Sequence, residues 1–177
     1  MRQTTSDTLI QRMIGAARLD VNTYEAVERD VNATTSALLV VVIAAVASGL
    51  TGLGENGLIG FIGGILAAIV SWIVYAAIVY LVGTTILKTP ETRATVGELL
   101  RTLGFAQAPQ VLLVLGVIPI LGWIVGLIVF IWVILTSIVA IRQALDFTST
   151  GRAVVTALIA GVGYLIVYGL IGALFFL

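Results

Sequence analysis

The stretch that decides the fold is Leu58–Leu87, which reads LIGFIGGILAAIVSWIVYAAIVYLVGTTIL and contains no charged residue. A helix needs about 20 mainly apolar residues to cross the roughly 30 Å hydrocarbon core of a bilayer. This stretch exceeds that length, so we expect it to cross a membrane with some tilt or to project past the bilayer.

Further apolar runs lie on both sides of this stretch. They are Thr35–Leu53, Leu99–Val117, Gly122–Ile141 and Ala153–Leu177. The third run of the chain is interrupted by Gly104 and Pro109, and a proline inside a helix removes a backbone donor and bends the helix. The sequence therefore predicts an all-α polytopic integral membrane protein with five transmembrane helices, the third of them kinked.

The composition agrees with a membrane location. The chain of 177 residues is 60% hydrophobic and 10% charged, whereas a soluble domain is about 45–50% apolar and about 25% charged. Nine Lys and Arg residues balance nine Asp and Glu residues, which leaves no basic surface for a nucleic acid. Without Cys or His, the chain lacks thiol nucleophiles and the usual soft metal ligands. We expect no catalytic set, metal site or cofactor.

The positions of the basic residues predict the orientation. Eight lie before the first run, between the second and third runs, or between the fourth and fifth, and the ninth, Arg101, lies in the first turn of the third run, next to the loop that precedes it. Because basic loops stay on the cytoplasmic side, we expect a multi-pass protein of the cell membrane with its N-terminus in the cytoplasm and its C-terminus outside. No signal-type cleavage pattern is seen, so the N-terminus is expected to be kept. A four-span chain would place Arg142 and Arg152 outside and break the rule.

Residues 1–33 form a separate cytoplasmic segment in this interpretation, followed by the transmembrane domain over 34–177. Apolar residues of 8–18 share one helical face, and Ser6 or Asp7 can cap that helix. The amphipathic helix either lies in the membrane interface, with its arginines near lipid phosphates, or packs on the protein's own cytoplasmic loops. Thr23 opens a second short helix with a solvated charged face.

Two polar pairs lie at predicted helix ends. Thr95 and Glu98 have the spacing of a capping box, in which each side chain binds an end donor of the third helix. Arg142 and Asp146 are four residues apart and can pair along a helix face or anchor that end at the interface. Glu98 and Arg101 read as an ordinary surface pair.

The most unusual polar group inside a span is Gln107-Ala-Pro109-Gln110. Pro109 leaves a backbone carbonyl without its helical partner, and a nearby amide or a neighbouring helix must satisfy it. Gln107, Pro109 and Gln110 therefore form either a polar seat for a lipid headgroup or small solute, or a contact that joins helices around the kink.

No Asp, Glu, Lys, Arg or His lies in the middle of a predicted span. Intramembrane charges usually mark proton relays and ion coupling, so their absence argues against a proton-coupled transporter. Interfacial carboxylates remain candidates for an enzyme, namely Glu91, Glu98 and Asp146, although their structural interpretation is favoured.

Small residues recur at the four-residue spacing that lets helix backbones approach closely. These positions are Gly60, Gly64, Ala68, Gly122, Gly126, Ala157, Gly161, Gly169 and Ala173. The spacing predicts a tight bundle or a homodimer face, with packing inside one chain favoured. Of the tryptophans, Trp123 is expected at the outer boundary, whereas Trp72 and Trp132 are expected to pack near mid-membrane.

Four blocks of the sequence resemble the Yip domain family, small five-span membrane proteins named for the interaction of eukaryotic members with Ypt/Rab GTPases. The blocks are 23–30 (TYEAVERD), Trp72 with 80–84 (YLVGT), 97–109 (GELLRTLGFAQAP) and 139–147 (VAIRQALDF). The last two look like prokaryotic members, and the resemblance covers about residues 15–177. It implies a cytoplasmic N-terminus, five helices and an outside C-terminus.

The chain departs from the eukaryotic pattern before the first span. Eukaryotic members carry an acidic-Leu-Tyr-Gly-Pro type element there, and this chain has Asp30-Val-Asn-Ala-Thr34. A GTPase partner is therefore not carried over by the resemblance.

Three functional hypotheses remain. The first is a non-enzymatic protein that organises membrane lipids or partner proteins, including other copies of itself. The second is a channel, transporter or lipid scramblase whose path is lined by Gln107 and Gln110, which predicts a polar groove at that position. The third is an interfacial enzyme, which predicts that Glu98 and Asp146 converge in space.

Overall fold

The computed structural model describes residues 8–118 and 121–176, with the side chains of 52–56, 172 and 174–176 left aside. Seven α-helices and no β-strand lie in these ranges. The helices are α1 (Leu9–Ala17), α2 (Val21–Arg29), α3 (Ala33–Gly49), α4 (Leu53–Leu81), α5 (Val96–Phe105), α6 (Gly122–Ala144) and α7 (Thr150–Phe176). The predicted all-α class is confirmed.

Four segments in the described part are long and apolar enough to cross a membrane. They are Gly57–Ile86, Val96–Val117, Gly122–Ala144 and Thr150–Ile171. Helix α3 is equally apolar, but its 17 residues are fewer than such a segment usually has. Four of the five predicted spans thus have the expected length, and the first is shorter.

The third predicted span is not one kinked α-helix. Helix α5 ends at Phe105, and the chain continues as a 3₁₀ helix over Ala108–Val117. Pro109 lies in the first turn of that helix, where its missing N–H leaves no helical hydrogen bond unmade. Pro109 therefore marks a change of helix type. The Thr136 hydroxyl on α6 donates to the carbonyl of Ala106 at 2.8 Å, so a neighbouring helix satisfies the backbone at this junction.

The N-terminal helices share one hydrophobic core with the long helices. Ala16, Tyr24 and Val27 are fully buried and belong to the same cluster as Leu99 and Ile141. Helix α1 thus packs on the long helices themselves, although Ile10 and Ile14 on its other face stay exposed. A domain boundary at residue 33 stays a prediction.

The cap of α1 differs from the predicted one. Thr8 accepts a hydrogen bond from the backbone of Gln11, and the Gln11 side chain accepts one from the backbone of Thr8. Ser6 and Asp7 lie outside the described residues. Helix α2 begins at Val21, two residues before the predicted Thr23, because the Asp20 carboxylate caps it through the backbone of Asn22.

Large apolar side chains cover the outer surfaces of α4, α6 and α7. Ile59 on α4, Phe130 on α6 and Leu165 on α7 are each at least 64% exposed. Exposed apolar surface of this extent is expected of helices that face lipid, because a soluble monomer rarely shows it.

One close contact between helices occurs at a small residue outside the predicted set. A Cβ on Gly104 of α5 would lie 2.7 Å from the Cβ of Ala37 on α3. Gly126, Gly161 and Gly169 would meet no described atom within 4 Å, whereas Gly122 does approach the backbone of Gly116. The predicted packing inside the chain is therefore wrong for those three glycines, whose faces are open to lipid or to a second copy.

Candidate functional site

A partly open pocket of about 540 Å³ lies between α3, α4, the 3₁₀ helix and α7. This volume is typical of small-molecule sites, which span roughly 300–1,000 Å³. Helices α3 and α4 supply most of its wall, Gln107 and Gln110 come from the third segment, and Tyr164 comes from α7.

One wall is the predicted small-residue stripe of α4, formed by Gly60, Gly64 and Ala68. A Cβ on Gly64 would meet no described atom within 4 Å. The stripe therefore does not bring two helix backbones together, as the spacing predicted. It borders a space in the bundle instead, because Gly60 and Gly64 have no side chain and Ala68 has only a methyl group.

Gln107 and Gln110 form the polar part of the pocket. The side-chain Nε2 of Gln110 donates to the side-chain Oε1 of Gln107, and both residues line the space. Pro109 between them is buried and does not line it. Because the two amides bind each other, they do not join neighbouring helices in the described structure. Both amides line a pocket, and a polar seat for a lipid headgroup or small solute stays a prediction.

Three aromatic residues, the buried Trp72 and the half-buried Tyr75 and Tyr164, line one end of the pocket, which we call the Trp72 end. The indole nitrogen of Trp72 donates to the Leu100 carbonyl at 3.1 Å. The Tyr164 hydroxyl and Ser71 Oγ are 2.8 Å apart, and the rings of Tyr164 and Tyr75 meet edge to face. These contacts fix α5 and α7 against α4.

Ser48 and Thr51 lie toward the opposite end, which we call the Thr51 end. There Phe61 on α4 packs on Gly49 of α3, where an added Cβ would lie 2.8 Å from the ring. The hydroxyls give this end polar surface, so the pocket combines polar groups at the 3₁₀ helix and at Thr51 with an apolar α4 wall.

The predicted capping box of α5 is formed. The backbone N–H of Thr95 donates to Glu98 at 2.7 Å, and the backbone N–H of Glu98 donates to Thr95 Oγ1 at 3.2 Å. The Glu98 carboxylate is therefore committed to a helix end, away from the pocket.

The predicted ion pair between Arg142 and Asp146 is not formed. Helix α6 ends at Ala144, and Asp146 has a φ of 52°, which takes its side chain off the helix face. Arg142 instead donates to the Phe147 carbonyl at 3.3 Å and to Thr150 Oγ1 at 3.1 Å. The arginine thus fastens the turn between α6 and α7.

Arg101 is buried, whereas the sequence predicted it in a surface pair with Glu98. It is only 6% exposed and does not pair with Glu98 on the surface. Its Nε lies 3.2 Å from the Val27 carbonyl and 3.0 Å from the Glu28 carbonyl. A single arginine inside the apolar run Leu99–Phe105 is the signal that indicates a buried role.

Glu28 lies near two of the candidate carboxylates. Burial first, and then the negative charges of Asp146 and Glu98, raise the pKa of Glu28 to about 7. A convergence of Glu98 and Asp146 on one catalytic site stays a prediction. No group of three residues that could hold a metal ion occurs in the described ranges.

A comparison with protein families finds one family whose model covers most of the chain. The model of the Yip1 domain matches residues 21–170. The chain belongs to the Yip1 domain family. That match includes α2, the long helices as far as residue 170 of α7 and every residue of the pocket, so the predicted resemblance is confirmed. No curated protein and no solved structure matches the chain.

Proposed function

We propose that this Yip1-family protein is a non-enzymatic membrane protein that binds a lipid in the pocket between α3 and α4. The observation that carries the proposal is the pocket itself, in which paired amides and hydroxyls lie beside an apolar α4 wall. A phospholipid combines a polar headgroup with apolar chains, so both kinds of surface would be used.

Five spans are proposed, with α3 as the first. Its 17 residues continue into the 3₁₀ turn Leu50–Gly52. At about 1.5 Å per α-helical residue and about 2 Å per 3₁₀ residue, the two together reach roughly 31 Å. This length matches the hydrocarbon core of about 30 Å.

The proposed location is the cell membrane, with a cytoplasmic N-terminus and an outside C-terminus. Arg152 donates to the Leu87 carbonyl at 2.9 Å, and Arg142 binds the turn before α7. The ends of α4, α6 and α7 that carry basic residues therefore meet at one end of the bundle. Such clustering supports the orientation that the positive-inside rule gives.

Binding fits the pocket better than conduction does, because the bundle is tightly packed beyond Trp72. Beyond Trp72, the buried side chains of Ala76, Val79, Leu99 and Leu103 belong to one packed cluster. A solute that entered at the Thr51 end would meet this cluster instead of an exit.

The test fills the pocket without disturbing the fold. Gly64→Leu projects into the pocket, where an added Cβ meets nothing within 4 Å. Gly63→Leu is the matched control, because Gly63 is equally open but does not line the pocket. Native mass spectrometry of purified protein should show lipid on the wild type and on Gly63→Leu, with about tenfold weaker retention on Gly64→Leu. Equal retention by all three would overturn the proposal.

A channel, transporter or scramblase is the second candidate, favoured by the amides of Gln107 and Gln110 in the pocket wall. It predicts flux or lipid exchange in proteoliposomes that falls when both glutamines are replaced by Leu. Flux that survives the double replacement would exclude this site as the path.

A further inference from the structure

Helices α1 and α2 form a tight antiparallel hairpin. At its turn, the backbone N–H of Asp20 donates to the Gly15 carbonyl at 3.0 Å. The Tyr24 hydroxyl donates to the Ala16 carbonyl at 3.1 Å. At the open end, Arg12 and Asp30 form an ion pair of 2.8 Å. The two helices are therefore held together at both ends.

The hairpin lies along α5 and α6. Its open end, at Arg12 and Asp30, lies toward the same end of the bundle as Asp146. There Arg101 binds the Val27 and Glu28 carbonyls, and the Asp146 charge acts on Glu28. The tip points the other way, since the indole nitrogen of Trp132 donates to the Ala17 carbonyl at 2.7 Å.

The position of Trp132 fixes how far the tip reaches. It lies between Gly122 and Ala144, the ends of α6, so at about 1.5 Å per residue it is roughly 18 Å from the Ala144 end. That is near the middle of α6 whichever end is cytoplasmic. A hairpin whose tip touches the middle of a membrane-spanning helix lies beside the bundle, at the depth of the bilayer.

Polar side chains at this depth need partners. Arg18 and Asp20 at the tip are both exposed, and a charge exposed to hydrocarbon costs several kcal/mol. The Asp20 carboxylate already accepts hydrogen bonds from Asn22 and Thr23. No ion pair of Arg18 occurs in the described part of the chain. Val21 beside the tip is also exposed, as a lipid-facing surface requires.

We propose that the α1–α2 hairpin enters one leaflet beside α6 and that Arg18 at its tip binds the phosphate of a phospholipid drawn toward it. A guanidinium binds phosphate through two parallel hydrogen bonds, and its long stem can reach toward the headgroup layer. This site is separate from the pocket and does not rest on the pocket binding a lipid.

The depth of the tip is measured in the full chain in vesicles of phosphatidylethanolamine and phosphatidylglycerol. The chain has no cysteine, so Asn22→Cys at the tip and Val31→Cys at the open end each give one nitroxide label. Both positions are exposed in the structure. We expect the Asn22 label to be more accessible to oxygen and less accessible to a water-soluble relaxant than the Val31 label. Equal access of the water-soluble relaxant to both labels would overturn the proposal.

The phosphate contact is tested with Arg18→Gln, for which Arg93→Gln in the exposed loop before α5 is the control with the same loss of charge. Purified Arg18→Gln should retain less phospholipid than the wild type, Arg93→Gln should not differ from it, and Arg18→Lys should restore part of the loss. Unchanged retention by Arg18→Gln would overturn the contact. Strong spin coupling between Asn22 labels of two copies, with retention unchanged, would assign the tip to a dimer interface instead.

Discussion

The guanidinium of Arg101 lies 3.0 Å from the Glu28 carbonyl oxygen and joins two elements that are 73 residues apart in the chain. Arg101 belongs to α5, and Glu28 lies near the end of α2. The arginine is nearly buried, and its guanidinium donates to the backbone carbonyls of Val27 and Glu28. The contact holds the α1–α2 hairpin on the bundle.

Replacing Arg101 should release the hairpin. Arg101→Met keeps the apolar stem but removes every donor, so the Val27 and Glu28 carbonyls lose their charged partner, at a cost of about 3 kcal/mol. We expect a lower melting temperature in detergent and faster proteolysis between α1 and α3. Arg29→Met is the control, because Arg29 makes an exposed pair with Glu25. Equal melting of the two variants would contradict the assigned role.

Hairpin docking should depend on pH through Glu28. Its pKa rises from 4.5 to about 7 in the folded protein, chiefly because it is buried. The folded state therefore binds the proton more tightly, so the contribution of Glu28 to stability is full below about pH 4.5 and is lost as the pH rises to about 7. The melting temperature should fall across this range in the wild type and stay flatter in Glu28→Gln. Identical pH profiles would contradict the prediction.

Gly104 should be the glycine least tolerant of a methyl group. Gly104→Ala would force apart α3 and α5 at Ala37, and overpacking of this kind costs about 1–3 kcal/mol. Gly126→Ala adds the same methyl group where no described atom lies within 4 Å. Thermal unfolding should show a loss only for Gly104→Ala, and a similar loss for both variants would argue against the α3–α5 contact.

The capping box at the start of α5 should contribute measurably to the thermal stability of the protein. Thr95→Ala removes the acceptor for the Glu98 backbone N–H, and loss of an N-cap typically costs about 1 kcal/mol. The nearby Thr85→Ala change, outside the cap, serves as a comparison. An unchanged melting temperature in Thr95→Ala would show that the first turn of α5 is held by packing alone.

Local chemistry made part of the structure predictable from sequence. Long charge-free runs predict apolar helices, and the Thr95–Glu98 spacing predicts a cap that depends only on neighbouring residues. The amides of Gln107 and Gln110 also indicated a polar position in this segment, because an amide inside an apolar run needs a hydrogen-bond partner.

Features set by tertiary contacts were predicted less well. The four-residue spacing of Gly60, Gly64 and Ala68 is the same whether a helix or an empty space lies opposite, so the pocket could not be told from close packing. Asp146 has the right spacing to pair with Arg142, but the helix ends before it. The Arg101 partners are backbone carbonyls of a distant segment, which no sequence pattern encodes.

The most direct test of lipid binding is photo-crosslinking in proteoliposomes, with a phospholipid that carries a diazirine in its acyl chain. Mass spectrometry of the peptides should find adducts on pocket residues such as Trp72 and Tyr75, strongly reduced in Gly64→Leu and retained in Gly63→Leu. Adducts confined to outward-facing residues such as Ile62 and Leu66, or unchanged in Gly64→Leu, would contradict a lipid in the pocket.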